Sequence, residues 1–156
     1  MSIKIHIPLA ERGILAISGE PARDFLQGLI TNDIQKASPS RAIYAALLTP
    51  QGKFLHDFFI VEHKDRFLLD CSAERMPDLI KRLTMYRMRL KLDITDESDK
   101  WDVGAMLPVG EIDAPGTAKT RFDGVSYVDP RHAGLGERTI RLVDEDDTFP
   151  TDIAKQ

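Results

Sequence analysis

The sequence predicts an α+β fold, a ferredoxin-like split βαβ unit with helices packed on a mainly antiparallel sheet, and three observations predict it. Two segments carry the 3.6-residue apolar period of a helix buried on one face, at 21–31 and from Ser72 onward. Between them lie short β-rich runs separated by compact polar turns, at 42–48, 54–61 and 67–69. The resulting order, strand, helix, two or three strands, helix, strand, is that of a βαβ unit opened by an inserted hairpin.

Taken in order, Gly13-Ile14-Leu15-Ala16-Ile17 reads as a strand, and Ser18-Gly19-Glu20-Pro21 as a turn that puts proline in the first turn of a helix. Ala22, Phe25, Leu26, Leu29 and Ile30 share one face of that helix, with Arg23, Asp24 and Gln27 opposite. The run at 42–48 is apolar enough for a strand covered on both faces. Thr49-Pro50-Gln51-Gly52 then turns the chain into a strand over 54–61, which His63-Lys64-Asp65 connects to Phe67-Leu68-Leu69 as a hairpin. Ser72 is the expected cap of a second helix whose buried stripe is Met76, Leu79, Ile80, Leu83 and Tyr86. A strand at 90–94 follows.

Past Met106 the pattern breaks: Pro108, Gly110, Pro115 and Gly116 interrupt any period. The expected organisation is therefore an α+β domain over 1–106, a loop or connector over 107–123, and the start of an incomplete second unit over 124–156, with strands at 125–128 and 139–143.

A chain of 156 residues that is 42% hydrophobic and 29% charged can bury one sizeable core. Its net charge of -4 supplies no broad basic field for a phosphate backbone, which argues against nucleic acid as a direct partner. No window offers the roughly 18 apolar residues of a bilayer span, so no membrane association is expected. The opening Met1-Ser2-Ile3-Lys4-Ile5-His6 lacks the apolar run of a secretory signal, and the cytoplasm is the expected setting. Cys71 stands alone, which excludes an internal disulfide. One thiolate also falls short of the roughly four ligands an iron-sulfur cluster takes, so no metal is expected on this chain by itself.

Three segments carry candidate chemistry. At Gln27-Gly28-Leu29-Ile30-Thr31-Asn32-Asp33-Ile34 a helix ends in hydroxyl, amide and carboxylate side chains that can bond either a ligand or the terminus itself. At Lys53-Phe54-Leu55-His56-Asp57 strand alternation sends His56 and Asp57 to opposite faces, so only one can face a given pocket. Asp57, set beside Phe58 and Phe59, needs a partner to be buried, whether ligand or salt bridge. At Asp129-Pro130-Arg131-His132-Ala133-Gly134 the short acid and arginine suit a tight turn closed by local hydrogen bonds, and Arg138 suits an acidic neighbour or a ligand carboxylate. The four histidines lack zinc-site spacing.

In this order, Phe25-Leu26-Gln27-Gly28-Leu29-Ile30-Thr31-Asn32-Asp33, Ala45-Ala46-Leu47-Leu48-Thr49-Pro50-Gln51-Gly52-Lys53 and Asp129-Pro130-Arg131 resemble the folate-binding YgfZ-type proteins, relatives of glycine-cleavage T-proteins, from about Glu11 to Arg138. The resemblance implies the T-protein-like folate-binding fold, a tetrahydrofolate cofactor held near Thr31, Asn32, Asp33 and Asp57, and iron-sulfur client or assembly proteins as partners. It implies an accessory role in making or repairing iron-sulfur enzymes, among them enzymes that modify transfer RNA. The alternatives are a folate-dependent aminomethyltransferase and an inactive scaffolding domain. T-proteins carry paired acids where this chain has His56-Asp57, which argues against aminomethyl transfer. The Lys-Gly-Cys-x-x-Gly-Gln-Glu motif of the iron-sulfur branch is absent, so the chain resembles a truncated, N-terminal part of the family.

Overall fold

The computed structural model describes residues 5–108 and 110–143. Strands β1 (His6–Pro8) and β2 (Arg12–Ser18) lead into helix α1 (Ala22–Gln27), after which come β3 (Ile43–Leu48), β4 (Phe54–His63) and β5 (Arg66–Ser72). Helix α2 (Met76–Arg87), β6 (Asp93–Asp96), β7 (Trp101–Met106), β8 (Ala118–Arg121), β9 (Gly124–Val128) and β10 (Glu137–Leu142) complete the described chain.

The strands form two five-stranded sheets, ordered β3-β4-β5-β2-β6 and β1-β7-β10-β9-β8, with antiparallel pairing throughout the recorded registers. The first sheet is the split βαβ unit expected from the sequence, extended at one edge by β3. Its β4–β5 hairpin turns on Lys64 and Asp65, both with positive φ, between the paired residues His63 and Arg66. That is the two-residue geometry whose twist matches antiparallel strands.

Alternation along β2 and β4 feeds two cores. Leu15, Ile17, Phe58 and Ile60 face the helices and pack with Leu26, Met76, Leu79 and Leu83. Ile14, Ala16, Phe59 and Val61 face the second sheet and pack with Trp101, Val103, Tyr127 and Ile140. The architecture is three layers: helices, first sheet, second sheet. Because the middle layer is covered on both sides, β2 reads as an unbroken apolar run.

Several elements differ from expectation. Helix α1 stops at Gln27 rather than 31, because the Leu26 carbonyl accepts from both Leu29 and Ile30 (3.0 Å each) and Ile30 then bridges to Leu47 on β3. Ser72 caps nothing: it ends β5, and α2 begins four residues later with Pro77 in its first turn and no side-chain cap. Tyr86 lies exposed rather than in the buried stripe. The strand expected at 90–94 is β6, shifted towards Asp96. Within 107–123, Ala118–Arg121 is a strand, and β9 and β10 add to the sheet that holds β7. β9 and β10 are the strands expected at 125–128 and 139–143, whereas β8 was hidden because it is four residues long and polar at three of them.

The two sheets are joined by a buried ion cluster. Asp70 on β5 accepts from Arg12 Nε on β2 (2.7 Å to Oδ1), from Arg138 Nη2 on β10 (2.7 Å to Oδ2) and from the Tyr127 hydroxyl on β9 (3.2 Å). Asp70 is fully buried, so removing it leaves Arg138 and Arg12 facing each other without a counter-ion. Asp70→Ala is therefore expected to destabilise the fold by about 3–5 kcal/mol, read as an earlier urea midpoint; a change below about 1 kcal/mol would contradict the clamp.

His63, at the end of β4, is buried edge-on against Trp101 (5.8 Å between rings), and its Nδ1 has no partner among the described residues. Burial, then the charges of Lys64 and Arg66, lower its pKa. The folded state thus binds this proton less readily than the unfolded chain, whose histidine titrates near 6.5. The histidine's contribution is present above that pH and is lost as pH falls below it. Thermal melts from pH 7.5 to 5 are expected to show a fall that His63→Gln flattens; an equal fall in both proteins would show that His63 is not its source.

Candidate functional site

The candidate site begins at the edge strand β3. Residues 30–32 run alongside it: Thr31 N donates to the Ala46 carbonyl (3.0 Å), Thr31 Oγ1 accepts from Ala46 N (2.9 Å), and Asn32 Nδ2 donates to the Tyr44 carbonyl (2.9 Å). The Asn32 side-chain oxygen Oδ1 accepts from Asp33 N, and Asp33 Oδ1 accepts from Gln35 N at the start of a short 3-10 turn (2.9 Å). The segment therefore docks onto the edge and leaves Asn32 at the wall of a cavity of about 250 Å³.

That cavity is lined by Asn32, Lys36, Arg41, Tyr44, Pro130 and Arg131, among others. Tyr44 donates its hydroxyl to Asp57 Oδ2 on the neighbouring strand. The hydrogen bond to Asp57, reinforced by burial, raises the Tyr44 pKa, so the phenol holds its proton and Asp57 is the acceptor. Asp57 Oδ1 keeps no protein partner among the described residues.

Arg131 completes the wall. Asp129 Oδ1 accepts from Arg131 N (2.9 Å) and Nε (3.0 Å), and Oδ2 accepts from Nη2 (2.7 Å). Burial opposes the charge of Asp129, but the bonds from Arg131 outweigh it and hold the carboxyl below its usual range. The same bonds raise the Arg131 pKa. So fixed, the guanidinium stands 5.6 Å from the Tyr44 ring centre and 5.0 Å from that of Phe59. Lys36 and Arg41 have no acidic partner among the described residues. The cavity thus offers two uncompensated cations, a braced arginine, an amide and a carboxylate reached through Tyr44. Such a set can orient an anionic, amide-bearing ligand through charge and directed hydrogen bonds.

Of the residues expected at the site, Asn32 lines the cavity and Asp57 adjoins it through Tyr44. Thr31 and Asp33 spend their side chains on local backbone groups. His56 points to the helix layer, where Nε2 meets Asp78 Oδ2 at 2.7 Å. Asp78 also accepts from Arg82, and these two bonds lower its pKa to about 2. Asp129 and Arg131 close the tight turn as expected, and Arg138 finds its acid in Asp70. Tyr44, Lys36 and Arg41 were missed. Only the β3–β4 register, which sets Ala46 against Asp57 and Tyr44 one diagonal away, brings Tyr44 to the carboxylate.

Cys71 belongs to the helix-side core. Burial above all, then the charge of Asp70, pushes its thiol up to about 12. Among the described residues no three His, Cys, Asp or Glu side chains come together as a metal-binding set. Native protein at pH 8 is expected to leave Cys71 unmodified by a disulfide reagent for hours, with one thiol released on denaturation. Modification within minutes in native buffer would contradict this burial.

The α+β arrangement of helices on antiparallel sheets is that of the aminomethyltransferase T-protein fold. The glycine-cleavage aminomethyltransferase T of Bartonella henselae superposes with a TM-score of 0.71 at 14% identity, covering 88% of this chain and 42% of that one. Residues 9–107 match the GCVT N-terminal domain, and the chain belongs to that family.

Among curated proteins, the mitochondrial iron-sulfur cluster assembly factor IBA57 of Mus musculus is 31% identical over 153 residues, covering 87% of this chain and 42% of its own. The Homo sapiens protein of the same name is 31% identical over 145 residues, covering 83% of this chain and 40% of its own. An aminomethyltransferase of Desulforamulus reducens is 38% identical over 66 residues, 42% of this chain and 18% of its own. The chain thus spans less than half the length of these relatives. The cytoplasmic setting expected from the sequence is corrected by these comparisons: the assembly factors of mouse, human and Mycosarcoma maydis are mitochondrial, pointing to mitochondria instead.

Proposed function

We propose that this chain takes part in iron-sulfur cluster assembly as an accessory protein that binds a reduced folate, tetrahydrofolate, in the cavity beside β3. The similarity to iron-sulfur cluster assembly factors supports the process. For the ligand, the supporting observation is the cavity's polar lining: Lys36 and Arg41 stand without counter-ions among the described residues, Asn32 lines the wall, and Asp57 adjoins it through Tyr44. A folate carries anionic glutamyl carboxylates at one end and a hydrogen-bonding pterin at the other, and this set fits both. Tetrahydrofolate, when bound, supplies a carrier for one-carbon units. The chain's own residues bind and orient: the cations hold carboxylates, Asn32 is fixed by Tyr44 and Asp33, and Asp57 accepts a ligand N–H through its free oxygen.

The similarity to an aminomethyltransferase favours a second reading, folate-dependent aminomethyl transfer. The change from a paired acid to His56 does not count against it in the cavity, because position 56 faces α2. Glycine-dependent turnover in a reconstituted cleavage system would decide for this reading.

Anaerobic titration calorimetry with tetrahydrofolate tests the main reading. Asp57→Asn is expected to weaken binding roughly ten- to a hundredfold, the worth of one hydrogen bond to a charged group. The melting temperature should hardly move, because the amide oxygen still accepts from Tyr44. Unchanged affinity with a lowered melting temperature would make Asp57 a structural residue.

A further inference from the structure

The end of α2 carries a second surface that the cavity does not use. Residues 81–91 contain Lys81, Arg82, Arg87, Arg89 and Lys91 and no acid. The whole chain has 21 bases against 25 acids, so outside this run acids outnumber bases 25 to 16. Positive charge is therefore concentrated here. Arg82 is held by Asp78 and Arg87 by the Leu92 carbonyl, but Lys81, Arg89 and Lys91 meet no acid among the described residues.

The same stretch projects apolar side chains. Met88 is 83% exposed, Met85 62%, Leu90 43% and Tyr86 39%. Met88 terminates the helix at φ 50 and ψ -113, a backbone conformation that favours glycine. A side chain kept at a strained position and held out in water is what a contact surface requires, not what the helix requires. Methionine adapts well to an apolar cleft.

We infer that the surface formed by Met85, Met88, Arg89, Leu90 and Lys91 docks an acidic protein partner, one that presents carboxylates around an apolar cleft. Charge complementarity selects the partner's sign and the exposed methionines its apolar centre. A bilayer surface fits less well, since the apolar stripe of α2, Met76, Leu79 and Leu83, is spent in the core and only its last turn projects. Nucleic acid fits less well because the patch holds a single aromatic and the rest of the chain is acidic.

The test replaces Met88 in the full chain with a photo-crosslinking residue, in cells, with the 99% exposed Phe122 as the control position. The expected result is one protein of acidic surface, identified by mass spectrometry, captured at Met88 and not at Phe122, and lost in an Arg89→Glu, Lys91→Glu background. With that protein purified, Met88→Gly should weaken its binding at least tenfold while raising the melting temperature, because glycine relieves the backbone. A purely structural Met88 cannot give that opposed pair. Capture of RNA, lipid or a second copy of this chain, capture equal to the control, or binding unmoved by Met88→Gly overturns the inference. Tetrahydrofolate affinity should be unchanged in these variants, so this result and that of the proposed function fail separately.

Discussion

The structure depends on a single fully buried carboxylate. Asp70 sits mid-strand on β5 and faces the second sheet, where its charge must be matched inside the protein. Arg12 matches it from the next strand, while Arg138 and Tyr127 reach it from the opposite sheet. Apolar packing alone would let two sheets slide over one another, since contacts between methyl groups carry no direction. Hydrogen bonds from a guanidinium to one carboxylate do, and they fix β10 and β9 over β5 and β2.

Phe59 transmits that alignment to the cavity. Its ring lies between Asp70's arginines and the arginine turn: Arg138 stands 4.3 Å from its centre, Arg131 5.0 Å and Arg12 6.0 Å. It also touches the rings of Tyr44 and Tyr127, at 5.3 and 6.0 Å between centres. The turn that holds Arg131 is tied to the start of β10, where Asp129 N donates to the Gly136 carbonyl. A shift of the second sheet would carry Arg131 away from Tyr44, so the cavity wall inherits its geometry from Asp70.

What could be read from sequence follows from range. Local periodicity gave α1, α2 and strands β2 to β5, because Ala22, Phe25 and Leu26 or Met76, Leu79 and Leu83 announce their faces within a few residues. In the second sheet β9 and β10 were legible as short strands, but β1 and β8 were not: β1 has three residues and is defined by a far partner, His6 pairing with Met106, and β8 has four residues, three of them polar. The site divided the same way. Asn32 and Asp57 were legible as polar groups in unusual places, whereas Tyr44 hid in an apolar run, and Lys36 and Arg41 resembled any surface cation until the structure set them on one cavity wall with no acidic partner among the described residues.

Strand parity settles how the His56-Asp57 pair should be weighed. The two side chains leave β4 on opposite faces, so one serves the helix layer and one the cavity. His56 is buried against Asp78, which Arg82 also engages, and this chain ties α2 to the sheet. A second acid at position 56 would meet Asp78 and repel it, which makes histidine the better neighbour for this particular α2. The departure from the T-protein pattern is thus explained by packing on the far side of the sheet, and the chemistry of the cavity has to be judged from Asp57, Tyr44 and the cations that face it.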